Sequence, residues 1–267
     1  MKTYLLTFWN SIRGFGSYQL LFRNPLKVTL VYWFLVCFVL AATVVSLQYI
    51  KFRRMLPGFA SEVSQNLPEF SFKDGQTVTS LKTPVIEKTG PKPIVLDPDD
   101  KITRPPPEFT NGMFHIGKTK IKVFWAGAAN DPWIIPIKGF PDGRVDRDFL
   151  VNFGTLMGYV GAPLWFVILT LVFYLVGLLQ ALFFATLVSF LEKTIQPSFT
   201  FEEMLNISIY ALTPGALIVT VYWIWGMFWG LLPIPFDLVY FLSYIIFHVM
   251  GSGACRRSLM PPDQEDY

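Results

Sequence analysis

From Leu164 to Leu191 the chain carries no charged side chain and is apolar almost throughout. A hydrocarbon core about 30 Å thick takes about 20 helical residues to cross, so this stretch reads as a membrane span. Glu192 and Lys193 interrupt it, and a second apolar run begins near Met204. The region Leu150–Pro214 therefore sets the class of the protein. Only 15% of the 267 residues are charged and 52% are hydrophobic, whereas about a quarter of an ordinary soluble domain is charged. The charge that is present concentrates between residues 51 and 149, where no span occurs, and this implies a second, water-exposed domain.

Before the first span, Leu5, Phe8, Ile12 and Phe15 recur three and four apart, with Lys2, Arg13 and Arg23 beside them. That pattern predicts an amphipathic helix lying in the headgroup region, anchored by Trp9 and Tyr18. Asn24-Pro25 then breaks the chain, and the first span follows to Ile50. Lys51-Phe52-Arg53-Arg54 marks its end, and a short separate helix is expected at Gly58–Asn66.

The segment between Leu67 and Arg147 has the signals of strands and turns. Phe70 and Phe72 alternate with polar residues before Asp74-Gly75, a hairpin pair that returns the chain through Thr77-Val78-Thr79. Pro93–Asp97 reads as a short buried strand ending in an acidic turn. Lys118–Trp125 is the clearest strand: Ile121, Val123 and Trp125 face one way, while Lys118, Lys120 and Lys122 form a lysine-lined solvent face. Pro105-Pro106-Pro107 calls for extended linkers.

Gly154, Gly158 and Gly161, four and three apart, suit close helix packing in a bilayer. Thr200-Phe201-Glu202-Glu203 is a capping box that opens the third span, and Pro214 is expected to kink it. Gly230–Pro235 turns the chain into a short fourth span, which Gly251 and Gly253 are expected to end. The resulting layout is an interfacial helix (1–25), a first span (26–50), a β-rich extracytoplasmic domain (51–149) and a second span (150–191). A cytoplasmic elbow (192–203), a third span (204–229), a fourth span (236–250) and a cytoplasmic tail (251–267) complete it. The fold class is thus an α-helical membrane bundle of about four spans with a small inserted β-rich domain. Placing both termini in the cytoplasm puts Lys2, Arg13, Arg23, Lys27, Lys193, Arg256 and Arg257 on the inner side, as the positive-inside rule asks.

Chemistry is sparse. Asp97, Asp99, Asp100 and Glu108 mimic part of a calcium loop, but Lys101 and Ile102 stand where a ligand and a glycine are needed, so a solvated turn is expected. His115 has no ligand-spaced neighbours and is read as structural or exposed. Cys37 and Cys255 suit neither a disulfide nor a metal. No nucleophile elbow, zinc-binding His pair or phosphate loop is present, and no catalytic residue, metal or cofactor is expected. The formal charge of +3 comes from mixed acids and bases, which argues against nucleic acid. Gln48, Gln180, Asn206, Asp237 and His248 are the notable polar residues of the spans. They are too scattered for a proton relay, and Gln180, near mid-span, is expected to bond to another helix.

Four stretches carry a family resemblance: Phe8-Trp9-Asn10-Ser11, Leu67–Gly75, Pro93–Asp99 and Phe199–Pro214. With them the whole chain resembles the bacterial DUF1189 family of multi-span membrane proteins. Tyr210-Ala211-Leu212-Thr213-Pro214 is also similar to an element of the broader Yip1-like superfamily. The resemblance implies an extracytoplasmic insertion and carries no catalytic residues. Function is therefore read as that of a non-enzymatic accessory or scaffold subunit in the bacterial inner membrane, whose outer domain docks a protein partner of an envelope complex. The alternative is lipid or amphiphile handling or transport, with Lys118, Lys120, Lys122 and Trp125 as the contact surface and a groove between the second and third spans as the place for a lipid. Gly154, Gly158, Gly161, Gln180 and Pro214 are the expected packing positions.

Overall fold

A computed structural model describes residues 2–66, 69–82, 84–87, 93–102, 112–125, 132–191, 199–229 and 236–259. The 192–198 part of the elbow, the 230–235 turn, the triple proline, Glu108 and the last residues of the tail lie outside that set. The chain forms two compact units, a helical unit of residues 1–48 with 162–267 and a β unit of residues 49–161.

Among the described residues four helices are long and apolar enough to cross a membrane. They are α3 (Leu26–Asn66), α4 (Arg147–Leu191), α5 (Phe201–Trp229) and α6 (Phe236–Arg257), preceded by α1 (Lys2–Arg13) and the short α2 (Tyr18–Leu21). Gly14 and Gly16 mark the break between α1 and α2, where a 3-10 turn replaces the helix. Two boundaries differ from the sequence reading. The first helix does not stop at Lys51 and restart at Gly58. It runs unbroken through Pro57 to Asn66, and its extension stays helical because Leu56 and Ala60 keep burying one face. Nor do Gly251 and Gly253 end α6, which continues to Arg257. A Cβ on Gly251 would sit 2.8 Å from the Tyr18 ring, so this glycine admits a neighbour and does not cap the helix.

Within the helical unit, α5 is the centre. Residues 204–215 are all buried, and α1, α2 and α6 pack against it. The capping box forms as predicted: Glu203 N–H donates to Thr200 Oγ1 at 3.2 Å, and Thr200 N–H donates to Glu203 Oε2 at 2.9 Å. The exposed face of α1 and α2 carries Leu5, Leu6, Trp9 and Leu20.

The described residues of the β unit form two sheets. The first has the order β2-β1-β8, from Gln76–Val78, Ser71–Lys73 and Gly143–Arg144. Its hairpin turns at Asp74 (φ 53°) and Gly75 (φ 71°), two successive positive φ angles that match the right-handed twist of the strands. The second sheet has the order β3-β4-β5-β6-β7, from Val85–Glu87, Ile94–Leu96, Gly112–Ile116, Lys120–Trp125 and Trp133–Pro136. Among the described strands only β4 and β5 pair in parallel. Phe70, Phe72, Leu96, Ile116, Ile137 and Val145 form the main core, while Val95, Met113 and Phe124 form a smaller one on the opposite face of β4-β5-β6.

That second core corrects the lysine-lined face. Phe124 shares the parity of Lys120 and Lys122 and is buried with Val95 and Met113, with Ile102 packed alongside. Lys122 is only 16% exposed and pairs with Asp100 at 3.6 Å. Lys118 lies in the turn before β6, not in the strand. The side chain of Trp125 lies outside the described residues.

Candidate functional site

Two constellations of buried polar groups stand out, one in each unit. In the helical unit, residues from the motifs that carried the resemblance meet. Ser11 Oγ lies 2.8 Å from Tyr32 Oη, which lies 2.9 Å from Thr213 Oγ1. Beside them Tyr210 Oη accepts from Asn24 Nδ2 at 2.9 Å and lies 3.0 Å from Thr29 Oγ1. The Tyr32 and Tyr210 rings are 5.2 Å apart. Asn206 Nδ2 donates to the Phe22 and Asn24 carbonyls at 2.9 and 2.7 Å, and Ser208 Oγ lies 2.9 Å from His248 Nε2. These bonds join α1, the 22–24 turn, α3 and α5, and the separate Ser208–His248 contact joins α5 to α6. The hydroxyls and amides of this network tie the amino-terminal segment to α3 and α5.

Tyr210→Phe tests that role. It removes the one hydroxyl that partners both Thr29 and Asn24, at a cost of about 1 kcal/mol on the scale of interhelical bonds in membranes. The full-length variant in mild detergent is expected to melt a few degrees below wild type. An unchanged melting temperature would show the network to be dispensable.

In the β unit, Asp97 and His115 are both fully buried. This corrects the solvated-turn reading of Asp97. β4 and β5 place them: Val95 pairs with His115 and Leu96 with Ile116, so Asp97, two residues beyond Val95, extends the same face. The 97–102 segment closes over it through Asp100 N–H to the Asp97 carbonyl at 3.0 Å and Ile102 N–H to Asp97 Oδ2 at 2.6 Å. His115 Nε2 lies 3.4 Å from the same Oδ2. Burial pushes the Asp97 carboxyl up, but the amide hydrogen bonds from Ile102 and Lys101 and the bond from His115 outweigh it and hold it below the ordinary carboxylate value. Burial pushes His115 below the ordinary imidazole value, with Lys122 acting in the same direction. The ionised carboxylate and neutral imidazole assign the proton to Nε2, which donates to Asp97. Among the described residues Asp97 Oδ1 and His115 Nδ1 then remain as buried acceptors without a partner. Among the described residues no group of three or more His, Cys, Asp or Glu side chains is placed to hold a metal. Sequence periodicity gave no sign of this pair, because the contact depends on a parallel pairing across 18 residues.

The predicted packing positions are scattered. A Cβ on Gly154 would meet Leu56 Cδ1 at 2.7 Å, and one on Gly158 would meet the Tyr49 ring at 3.0 Å. Gly161 has nothing within 4 Å. Gln180 Oε1 accepts from Tyr240 Oη at 2.6 Å, an interhelical bond between α4 and α6, and Gln48 Oε1 accepts from Trp165 Nε1 at 3.1 Å. Pro214 lies inside α5, next to Thr213 of the network. The tightest glycine was not among those expected: a Cβ on Gly177 would fall 2.4 Å from Trp33 Cζ2.

Residues 6–251 match the model of a family described as "Protein of unknown function (DUF1189)". Comparison with curated proteins and with solved structures gives no match.

Proposed function

The chain belongs to the DUF1189 family, and from that premise we propose that it is a non-enzymatic accessory subunit of the bacterial inner membrane whose inserted β domain docks a protein partner of an envelope complex. One observation carries the reading. β7 is an edge of the five-stranded sheet, and its Trp133 and Ile134 are 62% and 52% exposed. An apolar edge strand in water is a hazard that natural proteins blunt with charge or cover, and tryptophan is the side chain most enriched at the centres of interfaces. A partner segment that adds to this edge by strand pairing would cover both.

Threading agrees with such a placement. Arg23 and Lys27 stand at the start of α3 and Arg256 and Arg257 at the end of α6, so a cytoplasmic location of both termini satisfies the positive-inside rule. A chain that crosses through the first span and returns through the second delivers the inserted strands to the extracytoplasmic side. The lysine surface that motivated the alternative lipid reading is reduced by the Lys122–Asp100 pair to Lys118 and Lys120.

The test is a photo-crosslinking side chain at position 134 in the full-length protein in its native membrane. It is expected to capture one protein species, and Trp133→Asp, an exposed change that spares the core, is expected to weaken that capture about 30-fold, the cost of losing an interface hot spot. If capture yields no discrete adduct, or if Trp133→Asp leaves the adduct unchanged, the docking reading fails.

A further inference from the structure

We infer that the helical unit holds a specific anionic glycerophospholipid along the first turns of α3, with its phosphate at Lys27 and an acyl chain in the groove that α3 forms with α4. The groove has a volume of about 410 Å³ and is lined by Leu26, Lys27, Leu30, Val31, Phe34 and Tyr174. On α3 these residues form one stripe, spaced by one and by three or four. From Leu26 to Phe34 a helix rises about 12 Å, most of one leaflet's share of a core about 30 Å thick. Lys27 is the sole charged residue of that lining. At the far end Phe34 and Tyr174 meet edge to face, with ring centroids 5.7 Å apart, and close it with aromatic surface. A charged mouth, an apolar shaft and an aromatic floor have the polarity of a phospholipid read from its phosphate inward.

The electrostatics single out an anionic headgroup. Glu202 accepts from Leu26 N–H at 3.0 Å and Glu203 lies 3.9 Å from Arg23, so the two acids at this end already have partners. Among the described residues Lys27 has no ion pair. A lysine left free at the start of a span, beside an apolar groove open to the bilayer, attracts a lipid phosphate and adds about a factor of five in affinity for an anionic headgroup. The groove lies between the first and second spans. The site is independent of partner docking: a loss of lipid leaves Trp133 and Ile134 untouched, and a failure of docking leaves the groove intact.

The experiment is native mass spectrometry of the full-length protein, released from nanodiscs containing equal amounts of phosphatidylglycerol and phosphatidylcholine with identical acyl chains. Wild type is expected to retain one phosphatidylglycerol per chain, about fivefold in preference to phosphatidylcholine. Lys27→Gln, an exposed change, is expected to abolish the preference. Val31→Trp, which fills the shaft, is expected to lower retention of both lipids, while Arg257→Gln leaves the adduct as in wild type. Equal retention of the two lipids by wild type would overturn the site. So would a preference that survives Lys27→Gln, or a ladder of several adducts insensitive to Val31→Trp, since both describe an ordinary lipid shell.

Discussion

Asp97→Ala is expected to destabilise the β unit by about 2–6 kcal/mol, the cost of leaving two buried neutral donors unsatisfied at about 1–3 kcal/mol each. The carboxylate does two things at once. It accepts the Ile102 amide at 2.6 Å, holding the 97–102 segment over the smaller core, and it accepts from His115. Removing it leaves a buried amide and a buried imidazole N–H without acceptors, each at the full desolvation cost. Ile102, which packs on Val95, Met113 and Phe124, also loses its tether. Hydrogen exchange on the full-length protein reads the effect locally: protection of the 112–116 amides should fall while that of 204–213 stays at the wild-type level. Asp97→Ala with His115→Leu should cost less than Asp97→Ala alone, because the second change removes the stranded donor. If the single variant exchanges like wild type, the pair is not what holds the segment.

The same pair makes the β unit acid-sensitive. His115 faces Asp97, Asp100 and Lys122, and its folded pKa lies below the ordinary imidazole value of 6.5. Its neutral form therefore contributes stability that is fully present above the unfolded value and is lost as pH falls through the folded one. Asp97 is held below 3.8, so its contribution is lost in the same direction at lower pH. Protection in β5, corrected for intrinsic exchange, is expected to decline from about pH 6.5 downward, by at most about 1.4 kcal/mol per pH unit for one titrating group. His115→Gln should remove the upper part of that decline and keep the part below pH 4.

What the sequence made legible was local. Thr200 and Glu203 are three residues apart and bond to each other, and Asp74-Gly75 turns on its own two φ angles. The four apolar helices follow from length and composition alone. What it hid was tertiary. Lys51 to Arg54 and Pro57 look like the end of a helix until Leu56 and Ala60 are seen to be buried. Gly251 looks like a cap until Tyr18 is found against it. Asp97 looks solvated because nothing in its neighbours announces that β4 will lie parallel to β5. The resemblance motifs did mark Ser11, Tyr210 and Thr213, yet their common contact, Tyr32, lies outside every motif.

The small-residue spacing at 154, 158 and 161 shows the same limit, and Gly177 supplies the sharper test. Trp33 is 3% exposed, and its Nε1 donates to the Tyr174 carbonyl at 3.3 Å. A Cβ at 177 would lie 2.4, 2.8 and 2.9 Å from Cζ2, Cε2 and Nε1 of that indole. A rigid bicyclic ring cannot yield by rotating a terminal bond, so it must move as a body and give up its hydrogen bond. Gly177→Ala is therefore expected to lower stability by about 1–3 kcal/mol, the cost of overpacking, although alanine is favoured over glycine in a helix by up to about 1 kcal/mol. Trp33→Ala is expected to cost about 3–5 kcal/mol for the cavity it leaves. The double variant Gly177→Leu with Trp33→Ala should melt above the sum of its single changes, since the new side chain enters the vacated space. Gly161→Ala, with open space around it, should be neutral or slightly stabilising. Thermal melts of the full-length protein in mild detergent decide the matter: if Gly177→Ala melts with Gly161→Ala, helix propensity and not the Trp33 contact governs this position.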